Sequence, residues 1–119
     1  MGHPVVWFEI MGNDASALRE YYAQLFAWKI SADNALDYGM VEADGGRGIA
    51  GGIGQLAQQI QPKVTFYVAT PDIEKTLLRA SEIGGGVLMP RTVLPGGTII
   101  GMFADPEGNP IGLVEEADA

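Results

Sequence analysis

The sequence predicts an α+β fold made of two tandem βαβββ modules. Three observations carry that prediction. A strand–turn–helix stretch near the start, VVWFEIMGNDASALREYYAQLFAW, recurs from Lys63 as KVTFYVATPDIEKTLLRASEIGG. Within it Val6, Phe8, Ile10 and Asp14 fall on Val64, Phe66, Val68 and Asp72, each 58 positions on. Gly39-Met40-Val41 and Gly101-Met102-Phe103 also correspond, so the repeat extends past its first two elements. A repeat of this length in a short chain sets the architecture.

Pro4 to Ile10 reads as the first strand, because β-branched and aromatic residues alternate. Val6, Phe8 and Ile10 make one apolar face, suited to lie under a helix; Val5, Trp7 and Glu9 point the other way. Asn13-Asp14 supplies an N-cap, and Ala15, Leu18, Tyr22 and Leu25 follow at helical spacing. Leu25-Phe26-Ala27-Trp28 is bulky enough to close that helix against the sheet, with Trp28 read as core. After a polar loop, Leu36 to Ala43 is expected as strand and Asp44-Gly45-Gly46 as a turn. Gly48 to Ile53 is a glycine-rich strand or loop, and QLAQQIQP, ending at Pro62, is a polar linker.

The second module repeats the plan. Val64 to Ala69 is strand, and Asp72 caps a helix carrying Ile73, Leu77, Ala80 and Ile83. Gly84-Gly85-Gly86 ends it, since glycine adopts the left-handed cap without strain. Val87 to Met89, Thr98 to Ala104 and Ile111 to Glu115 are three short strands. One domain over 1–119 is expected, with modules of about 4–55 and about 63–116.

Composition narrows the function classes. Apolar residues are 47% of the chain and charged residues 18%, an ordinary globular balance. The formal net charge of −8 repels phosphate backbones, so no nucleic-acid partner is expected. The absence of cysteine excludes disulfides, a thiolate nucleophile and cysteine metal sites. No apolar run is long enough to span a bilayer and no leader pattern opens the chain, so no membrane partner and a cytoplasmic location are expected. The single histidine, His3, reads as a frayed terminal residue.

Two motifs fail on context. Gly46-Arg47-Gly48-Ile49-Ala50-Gly51 satisfies G-x-G-x-x-G, but no long packed helix follows to receive a pyrophosphate. Asp105-Pro106-Glu107-Gly108-Asn109 has calcium-loop oxygens, yet its glycine is misplaced and Pro110 interrupts it, so a tight turn is expected.

Taken together, Trp7-Phe8-Glu9-Ile10 before Asp14, Tyr21-Tyr22, Leu25-Phe26-Ala27-Trp28, Tyr67-Val68 before Asp72, and Asp105-Pro106-Glu107-Gly108-Asn109 before a final Ile-Gly-Leu-Val-Glu strand resemble the vicinal oxygen chelate superfamily. That superfamily includes glyoxalases, bleomycin-resistance proteins and extradiol dioxygenases, and the resemblance covers essentially the whole chain. It implies a curved open sheet with helices on the outer face and an active site on the concave face. Modules of this kind pair within or between chains, and a homodimer is expected. The family's metal-ligand positions fall on Trp7, on Ala50 or Gly52, on Thr65 and on Gly112. None carries an imidazole or carboxylate, so no metal and no cofactor are expected.

By strand parity with those positions, Val5, Trp7 and Glu9, then Thr65, Tyr67 and Ala69, then Gly112 and Val114 share the concave side. Trp7, Glu9, Tyr38, Met40, Thr65, Tyr67, Met102 and Gly112 are the expected ligand-binding residues of an aromatic-lined cleft. The competing reading has the aromatics fill a closed core. Glu9 and Tyr67 are the candidate catalytic pair, with burial expected to raise the Glu9 pKa and a tyrosine hydroxyl to lower it. Equally, Glu9 could hydrogen-bond a neighbouring tyrosine or the backbone and order the sheet. Arg47 and Arg91 are placed in loops, as isolated surface cations. Three functions remain open: a metal-independent binder of a small organic molecule, bleomycin-resistance-like; a metal-independent isomerase, cyclase or lyase using Glu9; and a non-catalytic interaction domain.

Overall fold

The computed structural model describes residues 2–57, 61 and 63–118. Gln58, Gln59, Ile60 and Pro62, four residues of the expected linker, lie outside the described residues. Ten elements follow in order: β1 (Val5–Gly12), α1 (Ala15–Phe26), β2 (Ile30–Ser31), β3 (Gly39–Val41), β4 (Gly51–Gln55), β5 (Lys63–Thr70), α2 (Ile73–Glu82), β6 (Gly86–Val93), β7 (Ile99–Ala104) and β8 (Pro110–Glu115). This is the α+β, βαβββ-twice plan expected from the repeat. The chain divides into two compact units, Trp7–Thr65 and Met1–Val6 with Phe66–Ala119, here called the first and second halves.

In the first half the strand order is β2-β3-β4-β1. β1 and β4 run parallel with Phe8 opposite Gly51 and Ile10 opposite Ile53, while β3 pairs antiparallel with β4 and β2 with β3. Helix α1 starts where expected, with the Asp14 carboxylate accepting from Ala17 N at 3.1 Å. It ends at Ala27, whose left-handed φ of 59° turns the chain back. Trp28 then stacks on Tyr22 at 5.4 Å and meets Phe8 at 5.4 Å. Among the described residues of this half, Ala15, Val41, Ile53 and Leu56 are the buried apolar ones.

The second half repeats the order as β5-β8-β7-β6, with β5 and β8 parallel and the other pairs antiparallel. Asp72 caps α2, accepting from Lys75 N at 3.0 Å, and Gly84 closes it at φ 114°. Ile73, Leu77 and Leu113 form the core, with Val68, Ile99 and Phe103 packed against it. Ile73 is wholly buried. Asp105 collects Glu107 N, Asn109 N and the Asn109 side chain into the tight turn the sequence indicates. The N-terminal residues are tied in, since Ala69 N donates to Pro4 O at 2.9 Å.

Three boundaries need correction. The expected strand from Leu36 to Ala43 shrinks to β3, because Asn34 binds the Tyr38 backbone at both N and O and bends the chain through Asp37 at φ 50°. The preceding polar loop hides the two-residue strand β2. Strand β6 runs on past Met89 to Val93, with irregular register on either side of Met89; as it pairs only with β7 in this half, Pro90 breaks no second ladder. Arg91 is therefore a strand residue, not a loop cation.

Candidate functional site

In the first half, period-two parity puts Trp7, Glu9 and Met11 on the β1 face opposite Phe8 and Ile10. Glu9, Gly52, Met40 and Ser31 sit opposite one another across four strands, so they form one row on that face. Tyr38 reaches over the row from the turn before β3. Its hydroxyl accepts the Trp7 indole N–H at 3.2 Å and donates to Glu9 Oε2 at 2.8 Å.

The direction of this chain follows from donor chemistry. An indole nitrogen can only donate, so the tyrosine oxygen accepts there and its own proton points to the carboxylate. Oε2 of Glu9 is thereby an acceptor. Trp7, Glu9 and Tyr38 are all half-buried, and Met40 is exposed.

Gly52 makes the arrangement possible. A Cβ at that position would collide with the Tyr38 hydroxyl and ring. Tyr38 is aimed by its own backbone clamp: Asn34 Nδ2 donates to Tyr38 O at 2.6 Å, and Tyr38 N donates to Asn34 Oδ1 at 3.0 Å. Arg19 of α1 holds the same turn from the other side, donating to Asp37 O at 3.4 Å. In the sequence Asn34 is one polar residue of a polar loop. The available signal was an Asn four residues before an aromatic strand start, the position from which its amide closes a turn.

The remaining site candidates belong to the second half, apart from Thr65, which is 5% exposed at the start of β5. Tyr67, Gly112 and Met102 lie opposite one another across β5, β8 and β7. The Tyr67 ring lies against the Gly112 backbone, where a Cβ would collide with it. Tyr67 and Met102 are both buried. Thus in the first half Trp7, Glu9 and Tyr38 are joined by hydrogen bonds, with Met40 on the row of Glu9, and in the second half Tyr67, Met102 and Gly112 form one row.

The donor set at the expected ligand positions does not fit a divalent metal. Trp7 offers an indole already donating to Tyr38, Gly52 and Gly112 offer no side chain, and Thr65 offers a neutral hydroxyl. Among the described residues no group of three His, Cys, Asp or Glu side chains could hold an ion. The glycine-rich motif at 46–51 forms a turn that feeds β4, with no helix behind it to bind a phosphate.

The second half carries a charged cluster that the sequence did not single out. Arg91 Nε and Nη2 clamp Glu115, the shortest contact being 2.7 Å, and Glu115 Oε1 also accepts Ile73 N at the start of α2 at 3.0 Å. The guanidinium hydrogen bonds first, then the helix N–H, hold the Glu115 pKa down at about 2. This is a structural clamp between β6, β8 and α2.

Comparison with known proteins adds the family. Residues 7–114 match the Glyoxalase-like domain family. No curated protein matches the chain. Among solved structures, a methylmalonyl-CoA epimerase in complex with methylmalonyl-CoA and NH4+ is 17% identical, with TM-score 0.66 over 97% of this chain and 95% of the other. A glyoxalase/bleomycin resistance protein/dioxygenase superfamily member from Vibrio splendidus 12B01 is 15% identical, with TM-score 0.65 over 97% and 100%. A hypothetical protein from Bacillus halodurans C-125 is 10% identical, with TM-score 0.71 over 98% and 96%. At these identities the structures speak for the fold. With the repeat, the topology and the family match in agreement, the chain belongs to the Glyoxalase-like domain family, within the vicinal oxygen chelate superfamily.

Proposed function

We propose that the protein is a metal-independent small-molecule-binding protein, bleomycin-resistance-like, whose ligand meets the Trp7, Glu9, Tyr38 and Met40 face of the first half. The observation that carries this reading is the one-way hydrogen-bond chain from Trp7 through Tyr38 to Glu9. It holds a carboxylate and two aromatic rings in one orientation before any ligand arrives, and such preorganisation lowers the entropic cost of binding. Glycines 52 and 54 on the same face add no side-chain bulk. The net charge of −8 favours a cationic guest with a flat organic body. A homodimer and a cytoplasmic setting belong to the same proposal; light scattering that finds only the monomer mass at micromolar concentration would remove the dimer.

A second reading has a specific observation behind it. The Tyr38 proton lies on a 2.8 Å path to Glu9, a geometry that also suits general acid–base work in an isomerase, cyclase or lyase. An epimerase among the structural neighbours is in keeping with that chemistry on this fold, though fold alone does not confer it.

Glu9→Gln separates the two. It preserves shape and replaces the carboxylate acceptor with an amide. After a thermal-shift screen of small organic cations and aromatic compounds, a binder should lose affinity by about one hydrogen bond, ~0.5–1.5 kcal/mol. An enzyme should lose turnover by about a hundredfold while retaining the ligand. Tryptophan fluorescence reports binding through Trp7 in both cases. An unchanged response in the variant would remove Glu9 from the site.

A further inference from the structure

The second half contains a groove of about 530 Å³ that includes none of the residues discussed above as ligand-binding. Lys75, Arg79 and Ile83 from α2 and the residue after it, Phe103 and Pro106 from β7 and the turn after it, and His3 all belong to its lining. His3, read from sequence as a frayed terminus, is thus part of a wall, held there by the anchored Pro4 beside it. The volume lies within the range of small-molecule sites, roughly 300–1,000 Å³.

Its chemistry is uneven in an informative way. Ile83 is 62% exposed and Phe103 half-buried, so apolar surface is left open along the groove. Lys75 and Arg79 are one helical turn apart and therefore project from the same side of α2. Among the described residues Lys75 makes no ion pair. Among the described residues Arg79 pairs only with Glu82, at 3.6 Å and with both side chains more than half exposed, a contact worth almost nothing.

The two carboxylates that also line the groove are engaged with their own backbone. Asp72 caps α2 through Lys75 N. Asp105 is saturated by Asn109 and Glu107, and the Asn109 side chain first of all keeps its pKa below the ordinary value. Hydrogen bonding leaves their charge in place, so the formal charges of the lining balance. The long cationic side chains of Lys75 and Arg79 supply its charged donors beside apolar surface of Ile83, Phe103 and Pro106. In a chain of net charge −8 a patch whose charges balance is better suited to an anion than the rest of the surface.

We propose that this groove is a second ligand site, distinct from the Trp7–Tyr38–Glu9 face, that takes an organic anion with an apolar body. A single carboxylate would sit between Lys75 and Arg79, and its hydrocarbon part would cover Ile83, Phe103 and Pro106. The proposal does not depend on the function assigned to the first half.

Decanoate is a suitable probe, followed by nitrogen-15 NMR titration of the full chain. Amide shifts are expected at Thr76, Ala80, Phe103 and Ala104, and not at Trp7, Glu9 or Tyr38. The double variant Lys75→Gln with Arg79→Gln should weaken decanoate by about three- to tenfold, the worth of two exposed charge contacts. Lys29→Gln with Arg47→Gln, which removes the same charge elsewhere, should leave the affinity within about twofold. Decanol should bind more weakly than decanoate. Shifts confined to the Trp7–Tyr38–Glu9 face would overturn the proposal. So would a Lys75/Arg79 variant that binds like the parent, or equal affinity for the alcohol.

Discussion

The two halves share one topology and solve the same local problem with different chemistry. In each, the last residue of the strand parallel to the first one reaches back to the helix N-terminus. Gln55 ends β4 opposite Gly12 and accepts from Ala15 N at 3.0 Å; Glu115 ends β8 opposite Thr70 and accepts from Ile73 N at 3.0 Å. Gly12 and Ala15 correspond to Thr70 and Ile73 under the same 58-residue offset that defines the repeat. Gln55 is neutral and also donates to Asn13 O at 2.8 Å, whereas Glu115 is charged and gripped by Arg91. An amide supplies both donor and acceptor, while a carboxylate has to recruit a cation. One lock ignores pH and the other does not.

The cores differ in the same spirit. Position 73 carries a fully buried isoleucine, but its counterpart is Ala15, which is also buried and far smaller. The first half gathers rings instead, with Phe8, Tyr22 and Trp28 half-buried and Phe26 exposed, their centroids 5.2 to 6.1 Å apart in a chain of pairs. Aliphatic branching gives one half a compact centre; aromatic stacking gives the other a broader, half-buried one.

The largest expected effect tests the aliphatic centre. Ile73→Ala should destabilise by about 2–5 kcal/mol, because a wholly buried side chain leaves a cavity under α2. Denaturant unfolding checks it, and a loss under 1 kcal/mol would mean the second half does not depend on that contact. Trp28→Ala should cost less, about 2 kcal/mol, since the ring is only half-buried and part of its worth is stacking. A loss as large as that of Ile73→Ala would erase the proposed difference between the cores.

The locks should separate in acid. Glu115 has its folded pKa depressed, so its stabilisation is complete above the ordinary carboxylate value and is lost as pH falls toward about 2. Hydrogen exchange should show α2 opening before α1 as pH drops through that window. Glu115→Gln should destabilise at neutral pH and flatten the acid dependence, while Gln55→Ala should cost roughly 1 kcal/mol equally at all pH values. Simultaneous opening of both helices in acid would contradict the contrast.

The smallest effect concerns how the helices end. Ala27 holds a left-handed φ of 59°, while Gly84 closes α2 at 114°. Ala27→Gly should therefore stabilise by up to about 1 kcal/mol, the strain that a Cβ carries there. A lower melting temperature would show that Ala27 makes a contact worth more than its strain.

Much of the fold was legible without coordinates because it rests on local chemistry. The alternating strands, Asp14 and Asp72 as caps and the Gly84 stop are each decided by neighbours close in the chain. The facing of β1 was legible too, since parity alone separates Phe8 from Trp7 and Glu9. What was not legible depended on partners far along the sequence. Leu36 is apolar beside a strand, but the Asn34 amide captures the Tyr38 backbone and delays the strand until Gly39. Arg91 follows a proline, a local signal for a loop; its place on β6 is decided by pairing with β7 and by Glu115, 24 residues on.

The candidate site divides along the same line. Sequence by itself determined that Trp7 and Glu9 share a face and that no imidazole, thiolate or carboxylate stands at the expected metal-ligand positions, because side-chain identity and period-two geometry need no tertiary contact. Only the tertiary structure decided that Tyr38 is the hydroxyl between them. That hydroxyl comes from a turn 29 residues beyond Glu9 and can occupy its place only because Gly52, on a third segment, has no side chain. Three separated segments meet at one oxygen atom, and a one-dimensional pattern carries no term for such a meeting.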